Sequence, residues 1–247
     1  MLGGCVTLGL DADLLASGVR SKIRWDYTRC PHAVVFGATG SGKTYFTRLL
    51  LAKIGKFIPD SEVMVCDFKA DRDFSFLSGC TGFFRFDECS AGLDTAVRKL
   101  EARQKGADPS RTFYLLVFDE WAAFLNSLDK KGAEDAKRKL SLLLMLGRSF
   151  NVHVLISQQR VDAAYFNAAR DNFSVVVGLG RLSREAVTMM FSDFRDEINP
   201  VKPRGQGTAL VGDRIFNMVV PQVAHPEAVE EPILSAVRRA GEKEETK

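Results

Sequence analysis

This 247-residue sequence has only three histidines, and its five cysteines (5, 30, 66, 80 and 89) never form a C-x-x-C pair. No zinc-ligand spacing and no disulfide framework is visible in that pattern. Free thiols in a reducing cytosol are the expectation. No apolar run reaches the roughly 20 residues of a membrane span. The start, Met1 to Cys5, lacks the basic and hydrophobic regions of a secretory leader, so a cytoplasmic protein is expected. Net charge is only +3, which gives no overall pull towards nucleic acid; such a site must come from local clustering. Internal repeats and a dividing linker are also absent. The length suits one substantial α/β core rather than two small domains.

What is present is concentrated at Val34-Val35-Phe36-Gly37-Ala38-Thr39-Gly40-Ser41-Gly42-Lys43-Thr44. It fits the phosphate-binding pattern G-x-x-x-x-G-K-[ST], with a β-prone run before it and an amphipathic run from Tyr45 to about Lys56 after it. Glycines 37, 40 and 42 let the backbone close around a triphosphate, and amides at the new helix's N-terminus favour anions. Residues Gly37, Ala38, Thr39, Gly40, Ser41, Gly42, Lys43 and Thr44 are therefore the nucleotide-binding candidates. Lys43 would reach the β- and γ-phosphates, and the Thr44 hydroxyl would ligate Mg²⁺.

The rest of the chain alternates strands and helices. Glu62–Asp67 is a short buried strand ending in an acid, and residues 90–106 have helical spacing. Thr112 to Glu120 is continuous apolar sequence ending in two acids, as befits a central parallel strand covered on both faces. A charged stretch from Lys130 to Lys139 enters a helix reaching about Gly147. Val152–Ser157 and Ser174–Gly178 are two more strands. A helix begins near Ser183, a hairpin turns at Gly212-Asp213, and a last helix runs from about Pro226 to Ala240. The segmentation is an irregular N-terminal piece with basic residues Arg20, Lys22, Arg24 and Arg29 (1–30), a P-loop domain (31–225), and a C-terminal helix with a frayed tail (226–247). The fold class is a three-layer α/β domain with a largely parallel sheet.

In such sheets functional groups gather at the carboxyl ends of strands. Asp119 sits at one, placed to hold Mg²⁺ through water, and Glu120 is placed to polarise the attacking water, so hydrolysis is expected. Gln159 ends the next strand as a candidate γ-phosphate sensor, with Gln158 as its rival. The absence of N-K-x-D favours ATP over GTP, L-S-G-G-Q is missing, and there is no room for a second helicase lobe. His32 and His153 are expected to be packed strand residues, and Asp67 and Lys69 to support the site without taking part in its chemistry.

The same strings resemble the FtsK/SpoIIIE family of the FtsK–HerA DNA-pumping ATPases, over about Trp25 to Val220. Pro31-His32-Ala33-Val34-Val35-Phe36-Gly37 is similar to that family's P-H-L-L-V-A-G, and Cys66-Asp67-Phe68-Lys69 to its D-P-K. Val117-Phe118-Asp119-Glu120-Trp121-Ala122 is similar to V-D-E-F-A-D, and Leu146 to Arg160 to A-R-A-A-G-I-H-L-V-L-A-T-Q-R-P. Val161 departs from the final proline, and the segment between the two Walker motifs is short. The resemblance implies a RecA-like motor domain alone, without membrane helices or a DNA-orienting module. It further implies a homo-hexameric ring around DNA, acting in conjugation, mobile-element transfer or segregation, with a relaxase or other mobile-element protein as partner. A ring of this kind needs an arginine supplied in trans. Arg148 matches the family position, with Arg160 and Arg181 as alternatives. Lys130, Lys131, Lys137, Arg138 and Lys139 would grip DNA phosphates. The competing expectation is a non-translocating ATPase switch, with a small-molecule phosphotransferase third.

Overall fold

The computed structural model describes residues 4–245. Its elements run β1 (Cys5–Asp11), α1 (Ala12–Ala16), β2 (Lys22–Asp26), β3 (Ala33–Phe36), α2 (Lys43–Phe57), β4 (Glu62–Asp67), β5 (Phe83–Arg85) and α3 (Cys89–Gln104). They continue as β6 (Tyr114–Asp119), α4 (Trp121–Ser127), α5 (Lys130–Leu146), β7 (Val152–Gln158), β8 (Val175–Leu179), α6 (Arg184–Met190), β9 (Gln206–Val211), β10 (Arg214–Val219) and α7 (Glu230–Glu245). Readings that fall on residues 1–3 or 246–247, the leader and the end of the frayed tail, lie outside the described residues.

One mixed sheet organises the molecule, in the order β2-β1-β10-β9-β8-β3-β7-β6-β4-β5. From β8 to β5 the neighbours are parallel, and β9, β10, β1 and β2 extend the sheet antiparallel. The parallel strands are buried on both faces, as their unbroken apolar runs require. Val35, Val65, Val117, Leu155 and Val177 pack under α2 and α7. Their alternates Val34, Met64, Leu116, Ile156 and Val176 pack under α3, α4 and α5 on the other face. Fully burying one such side chain stabilises by roughly 1.5–3 kcal/mol. The α/β class with a mostly parallel sheet is what the strand–helix alternation predicts.

Two expectations need correction. Within the segment 1–30 the described residues are not irregular, because β1 and β2 join the sheet. Lys22-Ile23-Arg24-Trp25 alternates exposed charge with buried Ile23 and Trp25, the period of a half-buried strand. Lys22 and Arg24 leave the sheet edge charged, which discourages pairing with other chains. The last helix does not end at Ala240 but continues to Glu245.

The C-terminal helix is seated directly on the P-loop helix. A Cβ on Gly55 of α2 would stand 2.1 Å from the Pro232 carbonyl oxygen of α7, so only glycine permits this approach. Arg239 of α7 donates to the Ser61 carbonyl at 2.8 Å, tying α7 also to the start of β4.

Candidate active site

Strand β3 lies between β7 and β8 and delivers the loop 37–42 at its carboxyl end. Gly37 lies so close to β8 that a Cβ would meet the Leu179 carbonyl oxygen at 2.3 Å. Gly42 caps α2 at φ 102°, a conformation that side-chain-bearing residues resist. Lys43, the first residue of α2, is only 8% exposed. Its ammonium donates to the Gly37 carbonyl at 2.7 Å and the Ala38 carbonyl at 3.3 Å. Burial lowers its pKa, while the Glu120 and Asp119 carboxylates oppose that fall.

The acids stand on adjacent strand ends. Register pairs Asp67 of β4 with Asp119 of β6, and Asp119 with Ser157 of β7. Burial pushes the Asp119 carboxyl up to about 7, with Glu120 and Asp67 adding to the rise and Ser157 and Lys43 opposing it. Asp67 is also raised by burial. One of its oxygens accepts from the Ala70 amide at 3.0 Å, and the other has no hydrogen-bond partner. Glu120 turns the chain from β6 into α4 at φ 60°, ψ 47°, with its amide donating to the Ser157 carbonyl at 2.7 Å. For a non-glycine residue that conformation costs on the order of 1 kcal/mol or more.

These groups converge on one pocket of about 370 Å³, lined by Lys43, Thr44, Asp119, Glu120 and Gln159 among others. The Thr39 hydroxyl donates to the Gln159 side-chain oxygen at 3.1 Å, joining the phosphate loop to the end of β7. Of the two glutamines only Gln159 lines the pocket. Gln158 points to the opposite face of β7, fully buried.

A magnesium ion fits this arrangement. A raised buried carboxyl and an orphaned carboxylate oxygen on the neighbouring strand both gain from a cation between the strand ends and the phosphates. Among the described residues no three or more His, Cys, Asp or Glu side chains could hold a metal by themselves. Such a cation would share its ligands with the nucleotide, as magnesium commonly does.

Arg148 is not brought to this pocket. It lies in the turn before β7, a strand length of roughly 20 Å away, and its Nε donates to the Thr28 carbonyl at 3.1 Å. Arg160 and Arg181 line a second, larger cleft of about 1080 Å³ together with Arg184, sharing Thr39 and Gln159 with the first. Of the basic residues on α5, Lys137 is paired with Glu134, Arg138 with Asp135, and Lys139 with Asp94 and Asp135. Most of that charge is therefore answered locally. His32 and His153 are buried, with pKa values lowered by burial to about 3 and about 4. His32 accepts from the Val154 amide, and His153 meets the Pro31 carbonyl and Asn151.

Several lining residues escape the sequence reading. Arg204 reaches the pocket from the loop before β9, where the Gly205 amide donates to the Ser41 carbonyl at 3.4 Å. Asp73 also lines the pocket, beside Lys69, which the sequence does place at the site and which pairs with Asp71. Tyr45, Arg48, Leu49, Val223, Pro226 and Val229 close its other end.

Comparison with known proteins agrees with this geometry. No protein-family model matches the sequence. The chain is 28% identical over 240 residues to an FtsK domain-containing protein, YdcQ, of Bacillus subtilis strain 168, across 87% of this chain and 49% of that protein. It thus spans about half the length of that curated relative. Among solved structures it is similar to the cytoplasmic domain of the Thermomonospora curvata type VII secretion ATPase EccC, with TM-score 0.69 and 20% identity over 96% of this chain and 31% of that one. It is also similar to the pCW3 conjugation coupling protein TcpA in its monomer form with ATPγS, with TM-score 0.69 and 19% identity over 87% of this chain and 65% of that one. These likenesses bear on the fold, the α/β arrangement of a P-loop NTPase, and do not single out the FtsK/SpoIIIE DNA translocases. Among the described residues no helix is long and apolar enough to cross a membrane.

Proposed function

We propose that the chain is a magnesium-dependent ATPase that couples hydrolysis to moving DNA in conjugation, mobile-element transfer or segregation. The observation carrying this reading is the meeting of Lys43, Thr44, Asp119, Glu120 and Gln159 in one pocket at the ends of β3, β6 and β7. Lys43 would leave the loop carbonyls to engage the β- and γ-phosphates. Thr44 and Asp119 would hold the cation, which when bound neutralises charge on the phosphate oxygens. Glu120 orients and polarises the attacking water, and Gln159 reports the γ-phosphate to the phosphate loop through Thr39.

Arg148 lies a strand length from its own pocket, and in a homo-hexameric ring it would act on a neighbour's site, with Arg160 and Arg181 as alternatives. DNA as cargo is supported by the FtsK-domain relative, by the coupling role in TcpA's description, and by the arginines of the cleft beside Gln159. A second reading, protein as cargo, is favoured by the likeness to a secretion ATPase and by the locally paired charges of α5.

ATP turnover measured with and without DNA of defined length, alongside the mass of the assembly, separates these readings. The expected result is severalfold stimulation by long DNA in an oligomer, with Lys43→Ala inactive. Arg148→Ala subunits should poison wild-type rings on mixing. Full-rate turnover by a monomer indifferent to DNA would reject the DNA motor.

A further inference from the structure

The pocket has two chemically distinct ends. One is the phosphate loop with its lysine and acids; the other is formed by Tyr45, Leu49, Val223, Pro226 and Val229. The apolar end is built rather than incidental. The Tyr45 hydroxyl accepts from the Val223 amide at 2.9 Å and donates to the Pro221 carbonyl at 3.2 Å, bracing the segment after β10 against the first turn of α2. Val223 and Val229 pack on the core beneath. Of the charged groups that line the pocket, Arg48 is already engaged. It pairs with Glu230 at 2.7 Å, and its guanidinium lies 5.0 Å from the centre of the Phe76 ring.

We infer that the segment 221–229, held by Tyr45, is a nucleobase shelf that binds by contact and not by a side-chain hydrogen-bond code. This rests on the reading that the phosphate loop binds a nucleoside triphosphate. With the triphosphate on that loop, the apolar end is the part of the same cavity left for the base. A purine covers more of such a surface than a pyrimidine and gains more from it. Apolar contact separates ligands of similar shape by only about 10–200-fold, whereas a site built on hydrogen bonds reaches about 10⁴-fold or more. The shelf therefore prefers purines and discriminates weakly between adenine and guanine.

Calorimetric binding of Mg·ATP, Mg·GTP and Mg·UTP to the full chain tests this. The wild type should bind ATP and GTP within about 100-fold of each other and UTP more weakly. Val223→Asp should weaken both purine nucleotides about tenfold or more and bring all three affinities together, since ribose and triphosphate are common to them. Pro226→Ser, at an exposed position with little risk to folding, should move the affinities severalfold in the same direction. An equal loss for all three nucleotides in Pro226→Ser, no loss in either variant, or a wild-type preference for ATP over GTP beyond about 10⁴-fold would overturn the shelf. Lys43→Ala separates the two claims. Loss of all three nucleotides leaves the phosphate-loop reading standing whatever the shelf does, and undiminished binding removes that reading.

Discussion

The two ends of the parallel sheet treat buried charge in opposite ways. At the amino end, Glu62 and Arg103 are fully buried and satisfied. Glu62 pairs with Lys99 at 2.8 Å, Arg103 with Asp108 at 2.9 Å, and Arg103 also donates to the Phe150 and Asn151 carbonyls. The Asp108 carboxyl is held well below its ordinary range by Ser110, Lys99 and Arg103, against the cost of its burial. At the carboxyl end, Asp67 and Asp119 are buried side by side, raised in pKa, with one oxygen orphaned. One edge has spent its charges on holding the fold together; the other keeps acids that Lys43, Ser157 and the Ala70 amide only partly compensate, open to a cation and a phosphate. Buried acids with raised pKa are destabilising in their charged form, and such groups clustered at a pocket point to function.

That contrast can be broken from either side. The largest effect expected is on turnover, from Glu120→Gln. It should slow hydrolysis by about 10²–10⁴-fold while leaving ATP binding nearly intact, as read by single-turnover kinetics beside calorimetry. Wild-type turnover would remove Glu120 from the chemistry. At the other edge, Arg103→Ala should cost roughly 3–5 kcal/mol in urea unfolding, because it removes a buried partner of Asp108 and the donor to the Phe150 carbonyl. A loss below about 1 kcal/mol would erase the distinction between the two ends.

The third substitution sharpens the comparison. Asp119 has a folded pKa of about 7 against an ordinary 3.8. The stability it contributes is fully present below pH 3.8 and lost as pH rises towards 7. Asp119→Asn should therefore stabilise the ligand-free protein by on the order of 2–4 kcal/mol above pH 7, and by little near pH 4. It should also abolish magnesium-dependent turnover. A melting temperature that changes equally at both pH values would contradict the burial cost assigned to this carboxyl.

How far these ends were legible depends on the range of the interactions that build them. The phosphate loop and the acids at 119 and 120 are local signals, each a short string at a strand end, and the structure brings them together. Gln159 was separable from Gln158 only by strand parity, which places one at the pocket and the other in the core. Arg204, Val223, Pro226 and Val229 carry no local mark. They reach the pocket because β9 and β10 fold back beside β8, and no spacing in the chain announces that. The strand at 22–26 was visible as alternation, but its basic residues read as a surface patch. Its buried partners Ile23 and Trp25 carry the decisive signal. The α5 basic residues illustrate the converse, since a charge run looks available until the acids one turn away are counted.

The missing side chain at Gly55 has a mechanical corollary. With the Pro232 carbonyl pressed against it and Tyr45 clasping residues 221–223 nearly three turns earlier, α2 is held at both ends by the C-terminal part of the chain. A restraint on α7 would therefore bear on the helix whose first residue is Lys43, which makes the rearmost helix a handle on the phosphate loop.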